Sequence, residues 1–106
     1  MALTRIFRET VLARVRSDPD FADALLREGV DALLADDLET GKAILRDYIK
    51  ATVGFEELAL YTGASPKSLI RMFGTNGNPQ ARNLFAVLGQ LQDCAGLRLR
   101  VTTQAG

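Results

Sequence analysis

Histidine and tryptophan are missing from this chain of 106 residues, and cysteine occurs once. Without histidine, the commonest metal ligand and the commonest general base are both gone. The lone Cys94 permits no internal disulfide, and a reduced cytosol is the compartment expected. Proline numbers three, too few for a Pro-rich linker, and there is neither a low-complexity tract nor an internal repeat. No apolar run approaches the length of a membrane span, and Arg5 and Arg8 are not followed by the apolar segment of a secretory signal. A cytoplasmic protein without membrane contact is the expectation. No carboxylate cluster, phosphate loop or nucleophile–base pair stands out, so neither an enzyme nor a cofactor is expected.

A net charge is missing too: 13 basic residues balance 13 acidic ones. The distribution is less even. Residues 1–38 hold five Arg against eight acids, residues 39–79 five Lys and Arg against four, and residues 80–106 three Arg against one Asp. A small DNA reader can use such asymmetry, with its basic part behind its acidic one. The length fits one domain, and the 47% apolar content is enough for a modest core.

What is present centres on Phe55 to Gly74. Phe55, Leu58, Ala59 and Thr62 follow the i, i+3, i+4, i+7 spacing of one helix face. Gly63 and Ala64 interrupt, Ser65 suits an N-cap, and Pro66 fits the first helical position. Leu69, Met72 and Phe73 form a second short face. Two short helices around a glycine turn predict a helix-turn-helix. Ala59 and Gly63 are small where a close crossing and a turn with positive φ require it.

In chain order, Thr4 to Arg16 reads as a helix with Ile6, Phe7, Val11 and Val15 inside and Arg5, Arg8, Arg14 and Arg16 outside. Asp18 and Pro19 restart the chain into a helix carrying Phe21, Ala24, Leu25, Ala32 and Leu33, with Gly29 in its interior. Asp36 and Asp37 precede a third helix, Leu38 to Thr52. Its buried stripe is Ile44, Leu45, Tyr48 and Ile49, and Lys42, Arg46, Asp47 and Lys50 lie in water. Beyond the loop from Gly74 to Asn78, Asn78 can cap and Pro79 can start a last helix with Leu84, Phe85, Leu88, Leu91 and Ala95 inside, ending at Gly96. Leu97, Leu99 and Val101 then alternate with Arg98, Arg100 and Thr102, which reads as a strand. A strand needs a partner, and the chain offers no second one. Symmetric pairing with a second copy through Leu97, Leu99 and Val101 is expected, making a two-fold homodimer, with augmentation by another protein as the rival. The expectation is one all-α domain of five or six helices with a C-terminal strand: an N-terminal helical pair over 1–37, a helix-turn-helix bundle over 38–96, and a strand and tail over 97–106.

Candidate contacts lie on the outer face of the second motif helix. Lys67 sits in its first turn, where the helix dipole disfavours a cation unless an anion such as phosphate is close. Arg71 is one turn further and can reach a guanine edge bidentately. Ser65, Ser68 and Thr75 suit phosphate or base hydrogen bonds. Asn76, Gly77 and Asn78 either offer backbone N–H groups to a phosphate or form an Asn-capped loop, and Arg82 can add a phosphate contact. Arg98 and Arg100 read as solubilising charges on an exposed strand. Cys94 is expected to be a small buried hydrophobe, and Tyr48 and Tyr61 packing aromatics with a wet hydroxyl.

The run from Glu39 to Arg100 resembles the antidote proteins (antitoxins) of bacterial toxin–antitoxin modules and related phage-repressor-type helix-turn-helix regulators. The carriers are RDYIKA at Arg46–Ala51, LA-x-x-TGAS-x-x-SL-x-R at Leu58–Arg71, GNP at Gly77–Pro79, and GLRLRV at Gly96–Val101. The resemblance implies an autorepressor of transcription that binds operator DNA through Ser65, Lys67, Ser68 and Arg71, and that pairs with a small ribonuclease-type toxin. Pro66 departs from the pattern by offering no polar side chain for readout. The alternative function is a protein-interaction module of the same fold without DNA binding.

Overall fold

The computed structural model describes the chain from Ala2 to Gly106, with side chains from Glu9 onward. The expected placements of Arg5, Ile6, Phe7 and Arg8 lie outside the described side chains. Six α-helices follow one another: α1 (Ala2–Ser17), α2 (Pro19–Leu34), α3 (Leu38–Ala51), α4 (Phe55–Thr62), α5 (Pro66–Met72) and α6 (Ala81–Ala95).

Local chemistry sets most of these boundaries. The Asp18 carboxylate accepts from the N–H groups of Asp20 at 3.1 Å and Phe21 at 3.2 Å, and Pro19 opens α2. Arg14 closes the same corner, its guanidinium 4.6 Å from the centre of the Phe21 ring. Asp37 caps α3 through the Thr40 N–H, and Ser65 caps α5 through the Ser68 N–H. Gly63 ends α4 at φ 77° and Gly96 ends α6 at φ 69°, left-handed positions that a side chain disfavours.

The helices share one core. Helices α2 and α3 pack along each other with α1 against both, while α4 packs on α5 and α6. Leu26, Leu45, Ile49 and Leu58 are completely buried at its centre, joined by Leu69, Phe73, Val87 and Leu91. Phe55 and Phe73 meet as a tilted ring pair with centroids 6.3 Å apart, which fixes α4 to the end of α5.

Several placements differ from those the sequence predicts. The buried line of α2 is Ala22, Leu26 and Gly29, while Phe21, Ala24 and Leu25 are half-buried. Gly29 and Gly41 explain this rotation. A Cβ on Gly29 would meet Leu45 and one on Gly41 would meet Leu33, so the two glycines let α2 and α3 cross closely. In α6 the core line is Val87, Leu88 and Leu91, flanked by the half-buried Leu84; Phe85 points off this line and is 68% exposed, and Ala95 is exposed as well. Helix α6 begins at Ala81 with Gln80 as its cap residue, after Asn78 and Pro79. Lys42 is not in water but 1% exposed, on the apolar line that continues through Leu45 and Ile49. Arg46 and Asp47 are half-buried and Lys50 is exposed.

Residues 97–106 carry no regular secondary structure, and the described residues contain no strand with which they could form a ladder. The expected alternation holds for Leu97 and Leu99 only and fails at Val101. Leu97 and Leu99 pack against the core, while Arg98, Arg100 and Val101 are exposed. Gln92 turns the tail: its Nε2 donates to the Leu88 carbonyl at 3.2 Å, and its Oε1 accepts the Leu99 N–H at 2.8 Å. The tail thus runs beside α2, across a hollow lined by Asp23, Arg27, Asp31 and Leu34.

Candidate nucleic-acid interface

Helix α5 stands on the core through Leu69 and Phe73, which are 2% and 1% exposed. That anchoring decides which side chains face outward: Lys67, Ser68, Ile70 and Arg71 are all exposed. Ser65 at the start of the helix is already engaged. Its Oγ accepts the Ser68 N–H at 3.1 Å and donates to the Ser68 Oγ at 2.9 Å.

Between α5, the following loop and the start of α6 lies an open groove of about 510 Å³. Ser68, Arg71 and Asn76 line it, together with Asn78, Gln80 and Asn83. Of the predicted contacts, Ser68, Arg71, Asn76, Gly77 and Asn78 come together; Ser65, Lys67, Thr75 and Arg82 are exposed but lie outside the groove lining. The groove wall offers a guanidinium, the hydroxyls of Thr62 and Ser68 and four side-chain amides, a donor-and-acceptor set suited to base edges and phosphate oxygens. The stretch from Leu58 to Gln92 contains Lys67, Arg71 and Arg82 and no Asp or Glu. That stretch carries a net charge of +3 although the chain is neutral overall.

The far end of α5 is held by cations from another helix. The Lys42 Nζ donates to the carbonyls of Gly74 at 2.9 Å and Gly77 at 2.6 Å, and stands 3.1 Å from Glu39 Oε2. An Arg46 N–H reaches the Phe73 carbonyl at 3.5 Å. Positive charge at a helix C-terminus opposes the negative end of the dipole, and these bonds tie the cap residue Phe73 and the loop after it to α3. Gly77 closes on the same end, where a Cβ would run into the carbonyl oxygens of Arg71 and Met72.

Sequence reasoning placed Lys42 in water and missed Gln80 and Asn83. A signal for Lys42 existed: it lies on the stripe of Leu38, Leu45 and Ile49, at spacings of four, seven and eleven residues from Leu38. For Gln80 and Asn83 no local signal exists, because only the folded path of the loop into α6 puts them on the same groove as Arg71.

Cys94 is exposed rather than buried. Partial burial of its sulfur, then the charges of Glu57 and Asp93, push the thiol pKa up, so a nucleophilic role is disfavoured. Tyr48 is buried, and its hydroxyl pKa is raised by that burial first and by Asp23 and Cys94 after it. Tyr61 is half exposed, its hydroxyl 3.5 Å from a Glu57 carboxylate oxygen whose charge raises its pKa. Among the described residues, no helix is long and apolar enough to cross a membrane. Comparison with family models, with curated proteins and with solved structures finds no match.

Proposed function

We propose that this protein is a sequence-specific transcriptional regulator that binds operator DNA as a homodimer, an autorepressor of the antitoxin type. The observation that carries the reading is Arg71, which opens with Ser68 and Asn76 onto one groove in a stretch free of acidic residues. In this reading α5 enters the major groove. Arg71 reads a guanine edge, Lys67 and Arg82 meet phosphates, and Ser65, Thr75 and the Asn76 loop add polar contacts. Two copies pair through the tail at Leu97, Leu99 and Val101, which takes up strand form only on pairing, and present two α5 helices to two half-sites. The resemblance noted above adds a small ribonuclease-type toxin as the protein partner to test.

The test is fluorescence anisotropy with DNA from upstream of the protein's own gene, over a range of salt concentrations. Wild type should prefer that DNA to scrambled sequence, and its affinity should fall steeply with salt as counterions are released. Arg71→Ala should weaken specific binding by about tenfold to a hundredfold. Lys67→Ala should weaken all DNA binding and flatten the salt slope by about one unit. Equal binding to both DNAs by wild type and variants would remove the regulator reading.

One feature favours a second reading, a protein-interaction module of the same fold. Leu34 and Val101 flank the hollow between α2 and the tail and are 64% and 75% exposed. A partner gripping that surface would account for a wild type that shows no preference for the upstream DNA.

A further inference from the structure

We propose that Lys42 is a positioning residue for the reading head: its ammonium on α3 sets where Arg71 and the Asn76 loop stand. The inference rests on the DNA-binding reading above.

An ammonium has three donors and no acceptor. At Lys42 each donor has an oxygen within reach: the carbonyls of Gly74 and Gly77 and the Glu39 carboxylate. Burial at 1% exposure makes these bonds costly to break, since water does not replace them. Both carbonyls belong to the loop that carries Asn76. The loop in turn bears on α5, because Gly77 packs directly on the carbonyls of Arg71 and Met72. A continuous line of contact therefore runs from α3 through the ammonium and Gly77 to the backbone of Arg71. Glu39 is 65% exposed at its side chain and lies on the same helix as Lys42, so it balances the charge without fixing the loop. The two loop carbonyls do the fixing.

A residue that served stability alone would leave the contribution of Arg71 unchanged in the folded protein. A positioning residue makes that contribution depend on itself, so a double-mutant cycle separates the two. Wild type, Lys42→Met, Arg71→Ala and the double variant are titrated with upstream DNA, each shown by circular dichroism to be folded at the working temperature. Methionine keeps the apolar stem and removes the donors. The expected result is an affinity loss of about tenfold or more for Lys42→Met. Arg71→Ala should then cost under about threefold in that background, against its full effect in wild type. Amide exchange at residues 74–78 should quicken in Lys42→Met beyond any change in the core helices.

If Lys42→Met does not fold, Lys42→Arg carries the same cycle. The longer planar guanidinium cannot sit between the two carbonyls as a point donor, so affinity should again fall and the Arg71 effect shrink. Wild-type affinity in either folded Lys42 variant, or an undiminished Arg71 effect, overturns the proposal. Wild type without preference for upstream DNA overturns the regulator reading itself, an outcome distinct from failure at Lys42.

Discussion

Gly77 has no room for a side chain, and the obstacle is backbone. Its Cβ would collide with the carbonyl oxygens of Arg71 and Met72, which cannot yield without moving α5. Gly29 and Gly41 are also crowded, but their nearest neighbours are branched ends of Leu45 and Leu33, which can rotate. Gly77→Ala should therefore lower stability by about 1–3 kcal/mol, as overpacking does. Gly29→Ala should cost less, because helix propensity returns up to about 1 kcal/mol. Urea unfolding of the two variants side by side checks the order. The tyrosines give a pH test with a definite sign. The folded protein holds the Tyr48 phenol proton more tightly than the unfolded chain does, because its pKa is raised by burial. The unfolded state loses that proton first, so stability should fall as pH climbs through the ordinary tyrosine value, from about 9 to about 11. Tyr48→Phe should flatten this alkaline limb in urea midpoints. At Cys94, exposed but raised in pKa, alkylation by iodoacetamide near pH 8 should run slower than for a free thiol.

Individual helices divide into those that local chemistry specifies and those that the rest of the protein holds. Asp18, Asp37 and Ser65 cap the helices whose starts the sequence places directly after them, because a cap reads N–H groups only two or three residues away. Gly63 and Gly96 are legible for the same reason. Replacing Ser65 with Ala should cost about 1 kcal/mol and fray the start of α5, seen as a drop in thermal midpoint. The register of α2 was not legible, because the glycines that let α3 approach decide which stripe goes inward. Phe85 was misplaced for a related reason: a helix with apolar residues on more than one side needs its neighbours to say which side is core. Lys42 was hidden because its partners lie 32 and 35 residues further along the chain.

For the molecule as a whole, the helical class and the position of the helix-turn-helix pair could be read from hydrophobic spacing. The groove could not, since Ser68, Arg71 and Asn83 meet only once the loop has been folded back. The tail is the instructive case at this scale. Its apolar and basic residues alternate as a strand requires, yet a ladder cannot form inside one chain that holds no other strand among the described residues. The homodimer proposal makes Leu99→Pro a direct test. Proline removes an N–H that here is bonded to Gln92, and it would also interrupt pairing with a second copy. Analytical ultracentrifugation should show a wild-type dimer and a variant shifted to monomer, with the helical circular dichroism signal retained.

The two cations at the end of α5 come from α3, and this limits how such a protein can change. A seven-residue helix has too little internal bonding to stand unaided in water. Moved to another scaffold without Lys42 and Arg46, α5 and its loop would lose the clasp that holds them. If α5 reads DNA as proposed, new target sequences would be reached by exchanging outward residues such as Arg71 in place, on an unaltered mount, rather than by lending the helix whole. Lys42 would stay put through such a history while its neighbours on the surface diverge.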